Sequence, residues 1–132
     1  MADLNNDNKS IVLMYHDAFY KNDRAAVRKL LADKGMFQGP LNSFTDPDAF
    51  LDSASVFMKL GKHTPVKNIM MNGEDVCLFY EATYKVTSIP TLPIAAWFKV
   101  ENGKIKFFHV YFDPGPFIKA KENGDIAKAL QA

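Results

Sequence analysis

The chain has 132 residues, with 16 basic and 15 acidic side chains and a net charge of +1. That length makes one domain around one core, and so even a balance leaves no electrostatic footprint for nucleic acid or an anionic membrane. Cys77 stands alone, which excludes an internal disulfide and a cysteine-cluster metal site, and the three histidines show no ligand spacing, so neither metal nor cofactor is expected.

The opening MADLNNDNKS has no apolar signal core and no later run approaches the ~18 apolar residues of a membrane span; a cytoplasmic location is expected by default. Asn5, Asn6 and Asp7 offer caps for a first helix in which Ile11, Val12, Tyr15, Ala18 and Phe19 recur at helical spacing. It should close near Lys21-Asn22, where Asn can take the left-handed cap. Asp23 then caps a second helix with the stripe Ala26, Val27, Leu30 and Leu31. Met36-Phe37 reads as a short extended piece, and Gly39-Pro40 and Asn42-Ser43 as loop. Thr45-Asp46-Pro47-Asp48 combines a capping side chain, a first-turn proline and an acid at the positive end of the dipole. Phe50, Leu51, Ala54, Phe57 and Met58 then share one face until Gly61.

Beyond Gly61 the period changes from helical to alternating. Val66 to Met71 reads as a short strand, Asn72-Gly73 as a hairpin turn and Val76 to Val86 as a long strand. Val76, Leu78, Tyr80, Ala82, Tyr84 and Val86 share one of its faces; Cys77, Phe79, Glu81, Thr83 and Lys85 share the other. After a loop with Pro90 and Pro93 come Ile94 to Val100, a second Asn-Gly turn at Asn102-Gly103, and a last strand, KIKFFHVYFD, from Lys104 to Asp113, stopped by Pro114-Gly115-Pro116. Neither face of that strand is polar: Phe108, Val110 and Phe112 point one way, and Phe107, His109 and Tyr111 the other. The pattern predicts helices against one face and another subunit against the other. Phe117 to Leu130 can form a last helix, weakened at Asn123-Gly124. Helices first and an antiparallel meander afterwards make the fold class α+β.

The order and spacing of VLMYHDAFYKND, LLADKGMFQGP, FTDPDAF, WFKVENGKI and VYFDPGPF resemble the nuclear-transport-factor-2-like superfamily, in its SnoaL-like branch, over nearly the whole chain. The resemblance implies a single SnoaL-like domain over 1–132. It would be a cone-shaped α+β barrel with three N-terminal helices packed on a strongly curved, mostly antiparallel sheet. It also implies a cavity roofed by the helices and a homodimer through the outer face. In ketosteroid isomerases of this superfamily a strand carboxylate is the base, and a helix tyrosine and a second carboxylic acid hold the oxyanion. Tyr15 matches the tyrosine, but the base falls at about Gly39 and the acid at about Ala96, neither of which moves a proton. In limonene-epoxide hydrolases an aspartate, arginine, aspartate set activates water; those positions are Ala82, Tyr84 and Val110 here. Asp113 matches a terminal acid outside that catalytic pair. Polyketide cyclases place an acid or base near the end of the sheet, for which Asp113 is nearest, although PGPFIKAKENG after it departs from their pattern.

From this comparison the expected ligand-binding residues are Tyr15, Phe19, Tyr80, Tyr84, Phe98, Phe108, Val110 and Phe112, and the catalytic candidates Tyr15, Tyr84 and Asp113. A carboxylate before Pro-Gly-Pro can equally accept backbone donors in the turn. Trp97, His109 and Tyr111 face the expected partner subunit. Two readings stay open at this point. One is an isomerase, cyclase or hydrolase acting on a small apolar or carbonyl-containing molecule; the other is a non-catalytic ligand-binding or dimeric assembly module that keeps the fold without the machinery.

Overall fold

The computed structural model describes residues 4–132, in the order α1 (Leu4–Tyr20), α2 (Arg24–Leu30), β1 (Leu31–Gln38), β2 (Ser43–Phe44), α3 (Pro47–Leu60), β3 (Gly61–Lys62), β4 (Asn68–Asn72), β5 (Asp75–Tyr84), β6 (Leu92–Glu101), β7 (Lys104–Tyr111), α4 (Gly115–Glu122) and α5 (Asp125–Gln131). Asn5, Asn6 and Asp7, expected to cap α1, fall inside it, and the side chains of Asn5 and Asn6 lie outside the described residues. The helix closes as a Schellman motif. Asn22 takes φ 58°, its N–H donates to the Phe19 carbonyl and the Asp23 N–H to the Ala18 carbonyl. Asp23 caps α2 through the Ala26 N–H, and Asp46 caps α3 through the N–H groups of Asp48 and Ala49, with Pro47 in the first turn. No helix among the described residues is long and apolar enough to cross a membrane.

The sheet order is β2-β1-β7-β6-β5-β3, with β4 also paired to β5; β1 and β7 run parallel, every other pair is antiparallel, and the sheet does not close on itself. Leu31, expected on the second helix, instead begins β1 with extended dihedrals of φ −94° and ψ 141° and pairs with Ile105. The extended piece read at Met36-Phe37 is therefore the end of an eight-residue strand. Its pairing partner lies some seventy residues away in sequence, and no local signal announces a parallel partner. The strand expected over Val66 to Met71 lies at Asn68–Asn72, and the last strand stops at Tyr111 rather than Asp113.

Both hairpins turn where Gly is placed, by different means. Asn102 and Gly103 both take positive φ, 53° and 77°, as a type I′ turn requires. In the other, Asn72 pairs with Asp75 and Gly73 alone has positive φ, 63°, so the turn residues are Gly73 and Glu74. The tail forms two helices instead of one, parted at Gly124 with φ 84°. Along β5 the face of Val76, Leu78, Tyr80, Ala82 and Tyr84 is buried throughout, and along β6 Leu92, Ile94, Ala96, Phe98 and Val100 continue it. In β7 strict alternation breaks: Ile105 and Phe108 are both buried, because a bulge shifts the register between Lys99↔Phe107 and Val100↔Ile105.

Candidate functional site

Helices α1 and α3 lie over the inner face of β5, β6, β7 and β1, and between them is an apolar pocket of about 120 Å³. Its wall is an interlocked set of rings. Tyr15 meets Phe98 at 5.4 Å and Phe108 at 5.7 Å between centroids, Phe108 meets Phe37 at 5.3 Å, and Phe50 stands edge-on to Phe108 at 4.8 Å. These edge and tilted contacts are the favoured aromatic geometries. Gln38, Gly39, Pro40, Leu41 and Asn42, in the connection from β1 to β2, border the same pocket, and Leu41 there is exposed.

Tyr15, Phe19, Tyr80, Tyr84, Phe98, Phe108, Val110 and Phe112 all border the pocket. Asp113 does not: it is exposed, and its Oδ1 accepts the Gly115 N–H at 2.9 Å, bracing the turn into α4. Trp97, His109 and Tyr111 lie on the opposite face of the sheet. The Trp97 indole donates to Asp75 at 2.8 Å, and His109 stacks on Tyr111 at 4.1 Å.

The polar side chains of the pocket are the phenols of Tyr15, Tyr20, Tyr80 and Tyr84, with His16, Gln38, Asn42 and Ser53. Burial raises the pKa of Tyr15, Tyr20, Tyr80 and Tyr84, so all four remain neutral. The Tyr20 and Tyr80 hydroxyls are hydrogen-bonded at 2.9 Å. His16 is buried beside them, its ring 4.5 Å from that of Tyr80 and 5.0 Å from that of Tyr20. Its Nε2–H donates to the Thr64 carbonyl at 2.8 Å, which fixes the tautomer, and burial lowers its pKa, so it too is neutral. Among the described residues no Asp, Glu, Lys or Arg borders the pocket. At the far side α4 seals the inner face: Phe117 stands edge-on to Tyr84 at 4.8 Å and to Phe57 at 4.9 Å.

Sequence reasoning missed His16, Tyr20, Phe50 and Phe57 as pocket residues. His16 and Tyr20 are four apart on α1 and share a face, which is legible. That this face meets Tyr80 depends on how α1 crosses β5, sixty residues on in sequence, and no local pattern carries it.

A helical layer over one face of an open, mixed, bulged sheet, enclosing an aromatic pocket, defines an α+β cone. The chain belongs to the SnoaL-like domain family, whose model matches residues 12–108. No match was found among curated proteins. Among solved structures it is similar to a nuclear-transport-factor-2-like protein of unknown function from Cytophaga hutchinsonii, with 26% identity and a TM-score of 0.71 over 84% of this chain and 94% of that one. An epoxide hydrolase from M. tuberculosis, described as like the limonene-epoxide enzymes, superposes with a TM-score of 0.75 at 14% identity, over 98% of this chain and 100% of that one. A protein assigned as a SnoaL-like polyketide cyclase from Jannaschia sp. CCS1 gives 0.75 at 13% identity, over 91% and 94%. At these last two identities the likeness is one of fold.

Proposed function

We propose that this SnoaL-like domain binds a small apolar or carbonyl-containing molecule in its aromatic pocket. The observation that carries the reading is the pocket's chemistry: a lining dominated by rings and aliphatic side chains, polar groups that are neutral phenols, the neutral imidazole of His16, the amides of Gln38 and Asn42 and the hydroxyl of Ser53, and, among the described residues, no Asp, Glu, Lys or Arg on its border. An ion entering it would lose its hydration without a counter-charge, whereas a neutral molecule gains burial and one or two hydrogen bonds. Any catalysis would use Tyr15 or Tyr84 as hydrogen-bond donors to a carbonyl. Gly39, Ala82, Ala96 and Val110 stand where relatives of this fold carry acids and bases, and Asp113 is engaged with Gly115. That set of empty positions favours the binding module over a hydrolase or isomerase of the familiar kinds.

Titration with acetophenone, a one-ring ketone, tests the site. Ala96 borders the pocket, so Ala96→Phe should fill part of it and weaken binding by about tenfold or more. Equal affinity in wild type and variant, with both folded, would move the binding elsewhere.

We also propose that the chain pairs with a second copy through the outer face of the sheet, around Trp97, His109 and Tyr111. It is supported by exposed Met70, Phe79 and Tyr111, on β4, β5 and β7 of that face.

A further inference from the structure

Hydrogen-bond arithmetic at the Tyr20–Tyr80 pair leaves something over. Two hydroxyls joined by one bond, here 2.9 Å long, carry two protons and spend one. The Tyr84 hydroxyl is the next neighbour of Tyr20, and three hydroxyls joined in line by two bonds would carry three protons and spend two. Either way one proton has no acceptor, and among the described residues no carboxylate, carbonyl or imidazole takes it. Buried tyrosine hydroxyls ordinarily find partners, so the spare donor is a position at which an acceptor is missing from the protein itself.

We propose that this spare hydroxyl proton sets the pocket's specificity: Tyr20 and Tyr80 together hold one oxygen acceptor of an uncharged, single-ring ligand. Three features bear on that assignment. A hydroxyl that already accepts a hydrogen bond is polarised and donates its own proton more strongly, so the pair is a better donor than the isolated hydroxyl of Tyr15. Among the described residues bordering the pocket, His16 is the group that could carry positive charge, and it is buried and spends its Nε2–H on the Thr64 carbonyl; an anionic ligand finds no cation among them. The pocket's inner space of about 120 Å³ is of the order of the ~150 Å³ apolar cavity that holds a benzene ring, so it suits one ring with a small substituent.

Tyr20 and Tyr80 have this role only if the pocket takes a ligand at all, as proposed above, and the test separates the two statements. Wild-type protein is titrated, by ligand-observed NMR, with acetophenone, with α-methylstyrene, which replaces the carbonyl oxygen by a methylene of similar shape, and with benzoate. Acetophenone should bind about tenfold more tightly than α-methylstyrene, whose complex leaves the hydroxyl proton unpaired, and benzoate should not compete. Tyr20→Phe and Tyr80→Phe each leave one hydroxyl with a free proton, so a reduced preference for acetophenone should persist in either. Tyr20→Phe/Tyr80→Phe together should lose most of the preference, leaving only what the Tyr15 and Tyr84 hydroxyls supply. Equal binding of acetophenone and α-methylstyrene by the wild type keeps the pocket and overturns the hydroxyl role, whatever the folding of the variants. Loss of the preference in Tyr15→Phe with its retention in the double variant also overturns it, as does benzoate binding as tightly as acetophenone. Binding of neither neutral molecule removes both statements.

Discussion

His16 is the buried residue on which acid stability should turn. Its side chain is 4% exposed as a residue and has a single hydrogen bond, to the Thr64 carbonyl. Burial is the largest influence and lowers its pKa below the ordinary 6.5; the Thr64 bond opposes this, and the nearby His63 reinforces it while Asp17 opposes it. In the unfolded chain the imidazole titrates near its ordinary value. Between that value and the lower folded one the unfolded state binds more protons, so stability is lost as the pH is lowered through that window and is level above it. Asp17 titrates in a different window. Its pKa is held down by the bond from His63 at 2.6 Å, and that contribution disappears only at lower pH still. Denaturant midpoints should therefore decline from about pH 6.5 downward. His16→Gln, which keeps an N–H to offer Thr64 but cannot take up a proton, should flatten the decline; an unchanged slope in the variant would assign it elsewhere.

Glycine at two positions makes room rather than a turn. Gly61 ends α3 with φ −71°, which any residue adopts. A Cβ there would lie 2.8 Å from the Phe57 carbonyl oxygen and 2.9 Å from the Tyr20 ring, so the helix stops where the chain must pass Tyr20 closely. Gly35 is tighter. Its added Cβ would stand 2.3 Å from the Lys106 carbonyl oxygen, between backbone atoms that cannot rotate away.

At the scale of elements, Gly35 and Lys106 explain how the sheet bends. The β1–β7 register jumps between Leu31 and Met36, and the β7–β6 register jumps beside Lys106. These two irregularities sit side by side, turn Ile105 and Phe108 both inward, and supply the local twist that a regular ladder lacks. Gly35→Ala should force the strands apart and cost about 1–3 kcal/mol, read as a lower denaturant midpoint. Gly39→Ala, where an added Cβ meets nothing within 4 Å, should leave the midpoint level or raise it. Equal effects at the two positions would show that the close approach is not what selects glycine at 35. The same elements mark what the chain reveals unaided. Period-two alternation puts Val76 through Tyr84 on one face because each side chain's direction is fixed by its neighbours along the strand, and caps at Asp23 and Asp46 are local chemistry. Ile105 breaks its strand's alternation, and Leu31 leaves the helical stripe, because a partner distant in sequence imposes a bulge or a parallel ladder. The strand side of the aromatic wall, Tyr80, Tyr84, Phe98 and Phe108, was legible as alternation, with its inward face given by the family resemblance, whereas Phe37, Phe50 and the Tyr20–Tyr80 bond were not, since they depend on how β1, α3 and α1 are placed.

For the whole molecule the unresolved apolar surface is the outer face of the sheet. Met70 pairs with Cys77, Cys77 with Trp97 and Trp97 with His109, so these four form one row across four strands. Phe79, Ala95 and Tyr111 form the next row. Met70 is 56% and Tyr111 47% exposed, and a contiguous patch of that kind on a sheet face marks an interaction surface. Ion pairs border it: Lys67 meets Glu81 at 3.0 Å, and Lys99 meets Asp75 at 3.7 Å. An apolar centre with a polar rim is the usual anatomy of an interface. In the proposed dimer, related by a two-fold axis, each residue near the axis meets its own counterpart, so a single added charge is introduced twice, like against like, and desolvated. His109→Glu is the cleaner probe, because His109 only stacks on Tyr111, whereas Trp97→Glu also removes the bond to Asp75. Sedimentation should give a dimer for the wild type and a folded monomer for His109→Glu, with the denaturant midpoint of the wild type rising with protein concentration and that of the variant not. A wild-type monomer at every concentration would leave the outer face to another partner and withdraw the dimer.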